Sequence, residues 1–383
     1  MWNMKHRLLA ESVPLPSVIQ GIICGYLPPL TNKPLMINCH HVSVIDGQKI
    51  CTVDKNDTMR IRTLGSEQDG SENLSDDSSD PSVSIGDYVD QIKLVQAPWN
   101  EGKPMILSVM NQGLIMPIDL DQIKDGKNIE SKFRKFGYDH VQVVRCLGSL
   151  EQNGHQLVAT GVRDQITVWV FTRRALGQIQ GQYQQTKILT FKIDSGPGFA
   201  TGRADDRWVP VQSLAWIPGS GSKYRLVTGS VNGWIKVWDL DLDLDQGLGH
   251  SQCVYYVNIG SKVNSLVHMI DRGSSVLISG SQDGMIRVYE TAETFACLAT
   301  LQGHIDSVSS LCVLKNQYVC SGSKDGTLRV WDIRAKKCIE TMEHHGTKIT
   351  ETAEPHGIRY VESLPDGRFI SLSDKNLLEM WSM

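Results

Sequence analysis

The stretch from Leu301 to Met342, LQGHIDSVSSLCVLKNQYVCSGSKDGTLRVWDIRAKKCIETM, restricts the fold more than any other part of the chain. Three short apolar runs stand out in it: Val308 to Leu314, Tyr318 to Ser321 and Leu328 to Trp331. A weaker fourth runs from Cys338 to Met342. Gly, Asp, Lys or Asn bounds each run, and such residues punctuate turns. Lys324-Asp325-Gly326 separates the second run from the third, and Asp-Gly between two β-rich runs is a strong hairpin signal. The stretch therefore predicts four antiparallel strands in about 40 residues, one unit of a repeating β architecture.

The same unit recurs along the chain. First strands are predicted to start near residues 42, 92, 141, 211, 263, 308 and 358. The first unit is degenerate, with Arg62 roughly where the stretch at 301–342 places Trp331, and Pro117 weakens the third strand of the second. One four-stranded unit cannot bury both its faces alone, so seven units at this period predict an all-β, seven-bladed β-propeller. A β-sandwich competes, but the repeated order of Asp-Gly before Trp-Asp argues against it. The last unit, Ile358 to Trp381, runs out of chain after its third strand, whereas Leu35 to Asn38 is a strand to spare. Residues 34–39 are therefore expected to pair with residues 376–382 and close the ring, since an unpaired edge is a liability.

Gly303-His304, the Ser-Gly-Ser-Lys-Asp-Gly segment at 321–326 and Trp331-Asp332 together resemble a WD40 repeat. The resemblance implies a buried hydrogen-bonded tetrad of His304, Ser321, Asp325 and Trp331. It also implies that the residue before each hairpin Asp faces partners on the top of the propeller: Asn56, Arg163, Val231, Gln282, Lys324 and Ser373. The function implied is a non-enzymatic scaffold that binds partner proteins or peptides within a complex.

Residues 1–33 read differently. Val18, Ile19, Ile22, Ile23, Tyr26 and Leu27 share one helical face, and Pro28-Pro29 stop the helix. An N-terminal helical extension over 1–33 is expected, with the propeller over 34–383. LPSVIQGIICGYLP resembles the first helix of an F-box, which implies an alternative function: substrate recognition in a ubiquitin ligase, with residues 14–29 on the adaptor. Residues 65–87 are Ser-, Asp-, Glu- and Gly-rich and predict a disordered acidic loop.

The 383 residues carry a formal net charge of -4, which lacks the basic excess usual in nucleic-acid binders. No run nears the apolar length that spans a membrane, and the first residues lack a signal-peptide core. A cytoplasmic or nuclear protein is expected. Nine cysteines without a C-x-x-C pair read as reduced core thiols. Neither frame of Asp239 to Gln252 fits a calcium loop, and His344, His345 and His356 lack the spacing of a zinc site. No metal, cofactor or catalytic constellation is expected.

Overall fold

A computed structural model describes residues 31–64, 80–85, 89–95, 104–110, 115–124, 144–152, 155–173, 183–193, 210–219, 224–244, 246–292, 294–315, 318–344 and 356–382. Strand β1 (Thr31–Asn38) precedes the first blade, which is β2 (His41–Val44), β3 (Lys49–Val53), β4 (Thr58–Thr63) and β5 (Ser82–Ser84). Blade two is β6 (Val89–Val95), β7 (Met105–Met110) and β8 (Ile115–Asp119), followed by the short helix α1 (Leu120–Lys124). Blade three is β9 (Val144–Gln152), β10 (His155–Val162), β11 (Gln165–Arg173) and β12 (Tyr183–Lys192). Blade four is β13 (Val211–Ile217), β14 (Tyr224–Ser230), β15 (Trp234–Asp243) and β16 (Leu248–Asn258). Blade five is β17 (Val263–Asp271), β18 (Ser274–Ser281), β19 (Ile286–Glu290) and β20 (Cys297–Leu301). Blade six is β21 (Val308–Val313), β22 (Tyr318–Ser323), β23 (Thr327–Asp332) and β24 (Lys337–Glu343). Blade seven is β25 (Ile358–Ser363), β26 (Phe369–Ser373) and β27 (Leu377–Ser382), completed by β1.

Each blade is an antiparallel sheet, and the first strands neighbour one another in a ring: β2, β6, β9, β13, β17, β21, β25 and back to β2. The strands follow from their sequences. Second strands such as β22, Tyr-Val-Cys-Ser-Gly-Ser, are buried along nearly their whole length and read as continuous apolar or small-residue runs. Outer strands such as β16 alternate between exposed and half-buried residues because only one face packs. The core lies between blades rather than within them. One cluster joins blades five and six through Ile278, Val288, Val308, Leu311 and Trp331, and another joins six and seven through Cys320, Val330, Ile358, Phe369 and Trp381.

Ring closure takes the expected form. Strand β1 runs antiparallel to β27, with Thr31 opposite Ser382, Pro34 opposite Glu379 and Asn38 opposite Leu377. The strand starts at Thr31, so Thr31 to Lys33, expected to belong to the N-terminal extension, join the closing strand, because β27 offers them an unpaired edge. Residues 1–30 of the expected helical extension, with the F-box-like segment at 14–29, lie outside the described residues. The acidic loop expected over 65–87 is not irregular throughout. Ser82 to Ser84 form β5, the outer strand of blade one, with Val83 buried against Met59 and its neighbours. Three residues are too few to announce a strand by alternation. Cys39, Cys51, Cys312 and Cys320 are buried thiols, but Cys253, Cys297 and Cys338 sit on outer strands with Cys297 exposed; all seven are free.

Candidate functional site

A single contact recurs in blades three, four, six and seven and fixes each inner framework. A Trp on the third strand sends its indole N–H to a Ser or Thr hydroxyl on the second, two residues beyond its cross-strand partner. Trp331 reaches Ser321 at 2.8 Å, Trp381 reaches Ser371 at 2.8 Å, Trp238 reaches Thr228 at 3.1 Å and Trp169 reaches Thr160 at 3.0 Å. A buried indole needs such an acceptor. In blade one Arg62 takes the position, and its Nε donates to Thr52 Oγ1 at 3.1 Å. In blade two the position is Ile118, and the buried Ser108 hydroxyl opposite has no partner among the described residues.

In blade six this contact extends to the four residues named from the sequence. Asp325 accepts from His304 Nδ1 at 2.9 Å, from the Thr327 hydroxyl at 2.6 Å, and from the backbone N–H of Thr327 at 2.9 Å and of Ile305 at 3.1 Å. His304 Nε2 lies 2.7 Å from Ser321 Oγ. With Nδ1 protonated, Nε2 accepts the Ser321 proton, and one chain of donors runs from the Trp331 indole to the Asp325 carboxylate. Burial pushes Asp325 up, but the bonds from His304 and Thr327 outweigh it and hold the carboxyl well below the usual range. The network joins the blade junction to its hairpin.

The six residues expected on the top face are placed unevenly. Arg163, Gln282 and Lys324 are exposed in their hairpins, Val231 is partly so, and Asn56 is exposed. Ser373 is fully buried as the last residue of β26. The turn explains the error. Asn376 takes the positive φ of 64° that Gly326 takes at 80° in blade six, so Asp374, not Ser373, stands where Lys324 stands. Asp57 likewise has φ 55°, which moves the equivalent position in blade one from Asn56 to Lys55.

A feature that the sequence reading passed over lies inside this ring of turns. Six first strands carry a bulge at their second residue: Asp90, Arg145, Gln212, Asn264, Ser309 and Arg359. A bulge re-aims a side chain and terminates regular pairing. Gln212, Asn264, Ser309 and Arg359 all line a central cavity of about 550 Å³, together with His40 and His41 from blade one. The signal was present as a repeated apolar-polar-x-apolar quartet: VDQI, VRCL, VQSL, VNSL, VSSL and IRYV. It is invisible to a search for catalytic spacing because its members are about 50 residues apart.

The cavity wall is polar and asymmetric. On one side Asn264 Nδ2 donates to Ser307 Oγ and to Val308 O, both at 2.8 Å, and Ser309 Oγ bonds Gly322 O at 2.9 Å. On the other side, blades seven, one and two contribute Arg359, Tyr360, Glu362, His40, His41 and Lys93. Glu362 Oε2 accepts the Val44 N–H at 3.0 Å across the junction of blades seven and one. Ser43 does the same for Leu94 N–H at the next junction, also at 3.0 Å. Burial raises Glu362 to about 7 despite that N–H and the nearby Lys93. Burial and then Arg359 lower His41 to about 4, and burial lowers Lys93. Perturbed groups gathered in one cavity mark it as a candidate binding site. Among the described residues no group of three or more His, Cys, Asp or Glu could hold a metal ion. Asp239 is instead paired with Arg225 at 2.6 Å.

Comparison with known proteins agrees with this architecture. The family model "WD domain, G-beta repeat" matches residues 195–239, 249–290 and 295–332. The last two matches each begin in or just before the outer strand of one blade and end in the third strand of the next. A repeat so offset from its blade leaves the final blade short of one strand, which β1 supplies. The chain is 29% identical over 185 residues to the nuclear distribution protein PAC1 of Arthroderma otae, covering 45% of this chain and 36% of that protein. It is 30% identical over 169 residues to the nuclear distribution protein nudF of Aspergillus niger, covering 40% and 35%. The chain thus spans about a third of the length of the curated relatives it matches. The crystal structure of the WD40 β-propeller domain of Doa1 superposes with a TM-score of 0.61 at 16% identity, over 93% of this chain and 98% of that one.

Proposed function

We propose that this chain, a seven-bladed propeller with WD40 repeats over residues 195–332, is a non-enzymatic scaffold that holds a partner protein or peptide on the face around the channel mouth. The observation that carries this reading is the bulge at the same residue of six blades. It sets Gln212, Asn264, Ser309 and Arg359 round one opening, inside the exposed turn residues Arg163, Gln282 and Lys324. Core packing does not require polar side chains there, whereas recognition of a mixed polar surface does. We place the protein in the cytoplasm or nucleus as part of a complex; no helix among the described residues is long and apolar enough to cross a membrane. The ligase reading depends on residues 14–29, which lie outside the described residues, and no observation favours it.

Affinity capture with full-length protein tests the scaffold reading. The triple variant Arg163→Glu, Gln282→Glu and Lys324→Glu should lose partners at unchanged melting temperature. Ile339→Ser, on the outer circumference, should keep them. The opposite pattern would move the interface to the side of the propeller and overturn the assignment.

A further inference from the structure

The central cavity holds more chemistry than a plain polar lining needs. Among the described residues its walls carry two basic side chains, Lys93 and Arg359, two imidazoles, His40 and His41, and one carboxyl group, Glu362. Every other polar side chain among the described lining residues is a neutral amide, hydroxyl or thiol. The whole chain is acidic, at -4, so this local excess of cations is not a by-product of general basicity. The cations and imidazoles come from blades seven, one and two, which adjoin. The one carboxylate is already engaged, since Glu362 Oε2 takes the Val44 N–H that ties blade seven to blade one. Lys93 is in the opposite situation. It lines the cavity with no hydrogen-bond or ion-pair partner among the described residues, and only the field of Glu362 acts on it. An ammonium drawn out of bulk water without an acceptor is unfavourable, and an anion beside it removes most of that cost. Arg359 enters the same space from the mouth, where its guanidinium also donates to Asn376 Oδ1 at 3.0 Å.

We propose that the channel between blades seven, one and two is a binding site for one acidic group, a carboxylate or phosphate, held by Lys93 and Arg359 with N–H donation from the imidazoles. The acid enters from the mouth on a side chain of the bound partner, which rests on the binding-face reading above, or as a free small anion. Glu362 limits the site, since its charge opposes the ligand. Lys93 is the deep contact and Arg359 the entry contact.

Titration of the full chain with sodium sulfate and, separately, with an end-blocked hexaglutamate peptide tests this at constant ionic strength. Calorimetry reads affinity and thermal melting reads stabilisation. Wild type should bind saturably, and Lys93→Gln and Arg359→Gln should each weaken binding at least about tenfold. Glu362→Gln keeps a carbonyl to accept the Val44 N–H while removing the opposing charge, so it should bind several times more tightly. A merely structural role for these residues would not produce that gain. Lys337→Gln, on the outer strand β24, should leave sulfate binding unchanged. Binding of the peptide but not of sulfate assigns the acid to a partner chain, and binding of sulfate alone assigns it to a small anion. Failure of both probes, or equal affinities for wild type and Lys93→Gln, would overturn the site. If partner capture survived that result, the binding face would still stand without it.

Discussion

At the scale of single residues, one geometric rule decides which side chains are structural. The third-strand side chain that lies over the second-strand hydroxyl must be able to donate a hydrogen bond. Trp331, with 2% exposure, satisfies Ser321, and Ile118 leaves Ser108 unsatisfied. Trp331→Ala should therefore cost roughly 3–5 kcal/mol, because it empties a large buried volume. Asp325→Ala should cost about 1–3 kcal/mol, because it strands the donors of His304 and Thr327. Ser108→Ala should be neutral or stabilising, since it removes a buried hydroxyl with no partner among the described residues. Ser321→Ala should cost about 1–3 kcal/mol by comparison, since it strands the indole N–H of Trp331. Chemical denaturation of the four variants reads these differences directly, and a Ser108→Ala variant as unstable as Ser321→Ala would break the rule. The tetrad was legible only through the resemblance to a WD40 repeat, which Gly303-His304, the segment at 321–326 and Trp331-Asp332 carry. Ser373 was misplaced because Asn376 can adopt the left-handed conformation that glycine usually supplies, which shifts the hairpin by one residue.

At the scale of the strand, the ring is held shut by β1. Its pairing with β27 covers the outer edge of that strand, and the turn before β2 is locked by Cys39 N–H to Asn376 O at 3.2 Å. Ile37 and Cys39, each 1% exposed, join a cluster with Val42, Leu372, Leu378 and Met380. Deleting residues 1–39 should lower the melting temperature strongly or abolish soluble expression, because it removes both the pairing and the buried Ile37 and Cys39, and the loss of even one buried Ile costs about 2–5 kcal/mol. Deleting residues 1–30 leaves β1 whole and should cost far less. Equal melting temperatures for the full chain and the shorter protein lacking 1–39 would refute the closure. The seven-fold architecture could be read from the sequence because the inner strands are continuous apolar runs at a near-constant spacing. Strand β5 could not, since three residues show no period, and the channel ring could not, since its members meet only when the circle closes.

At the scale of the whole molecule, the groups around the channel make stability depend on pH in two opposite ways. Glu362 is raised by burial from 4.5 to about 7. Between those values the folded chain holds a proton that the unfolded chain has released, so this contribution is full below about 4.5 and is lost as pH rises through about 7. His41 is lowered by burial and by Arg359 from 6.5 to about 4. Between those values the unfolded chain binds the extra proton, so stability is lost as pH falls from 6.5 towards 4. Asp325, held low, adds to the acid side, because protonating it breaks four hydrogen bonds. The two channel groups oppose each other between 4.5 and 6.5, and only one acts on either side of that window. Melting temperature should therefore peak in mildly acidic buffer and decline in both directions. Glu362→Gln discriminates the alkaline limb from general charge effects. The amide imitates the protonated acid and still accepts the Val44 N–H, so the variant should match wild type near pH 5. At pH 8 it should melt higher, by about 1–4 °C. A variant that is less stable than wild type at pH 8 would mean that the ionised carboxylate, with Lys93 as its counter-charge, holds blades seven and one together. Lys93 would then be committed to Glu362 rather than to an incoming acid.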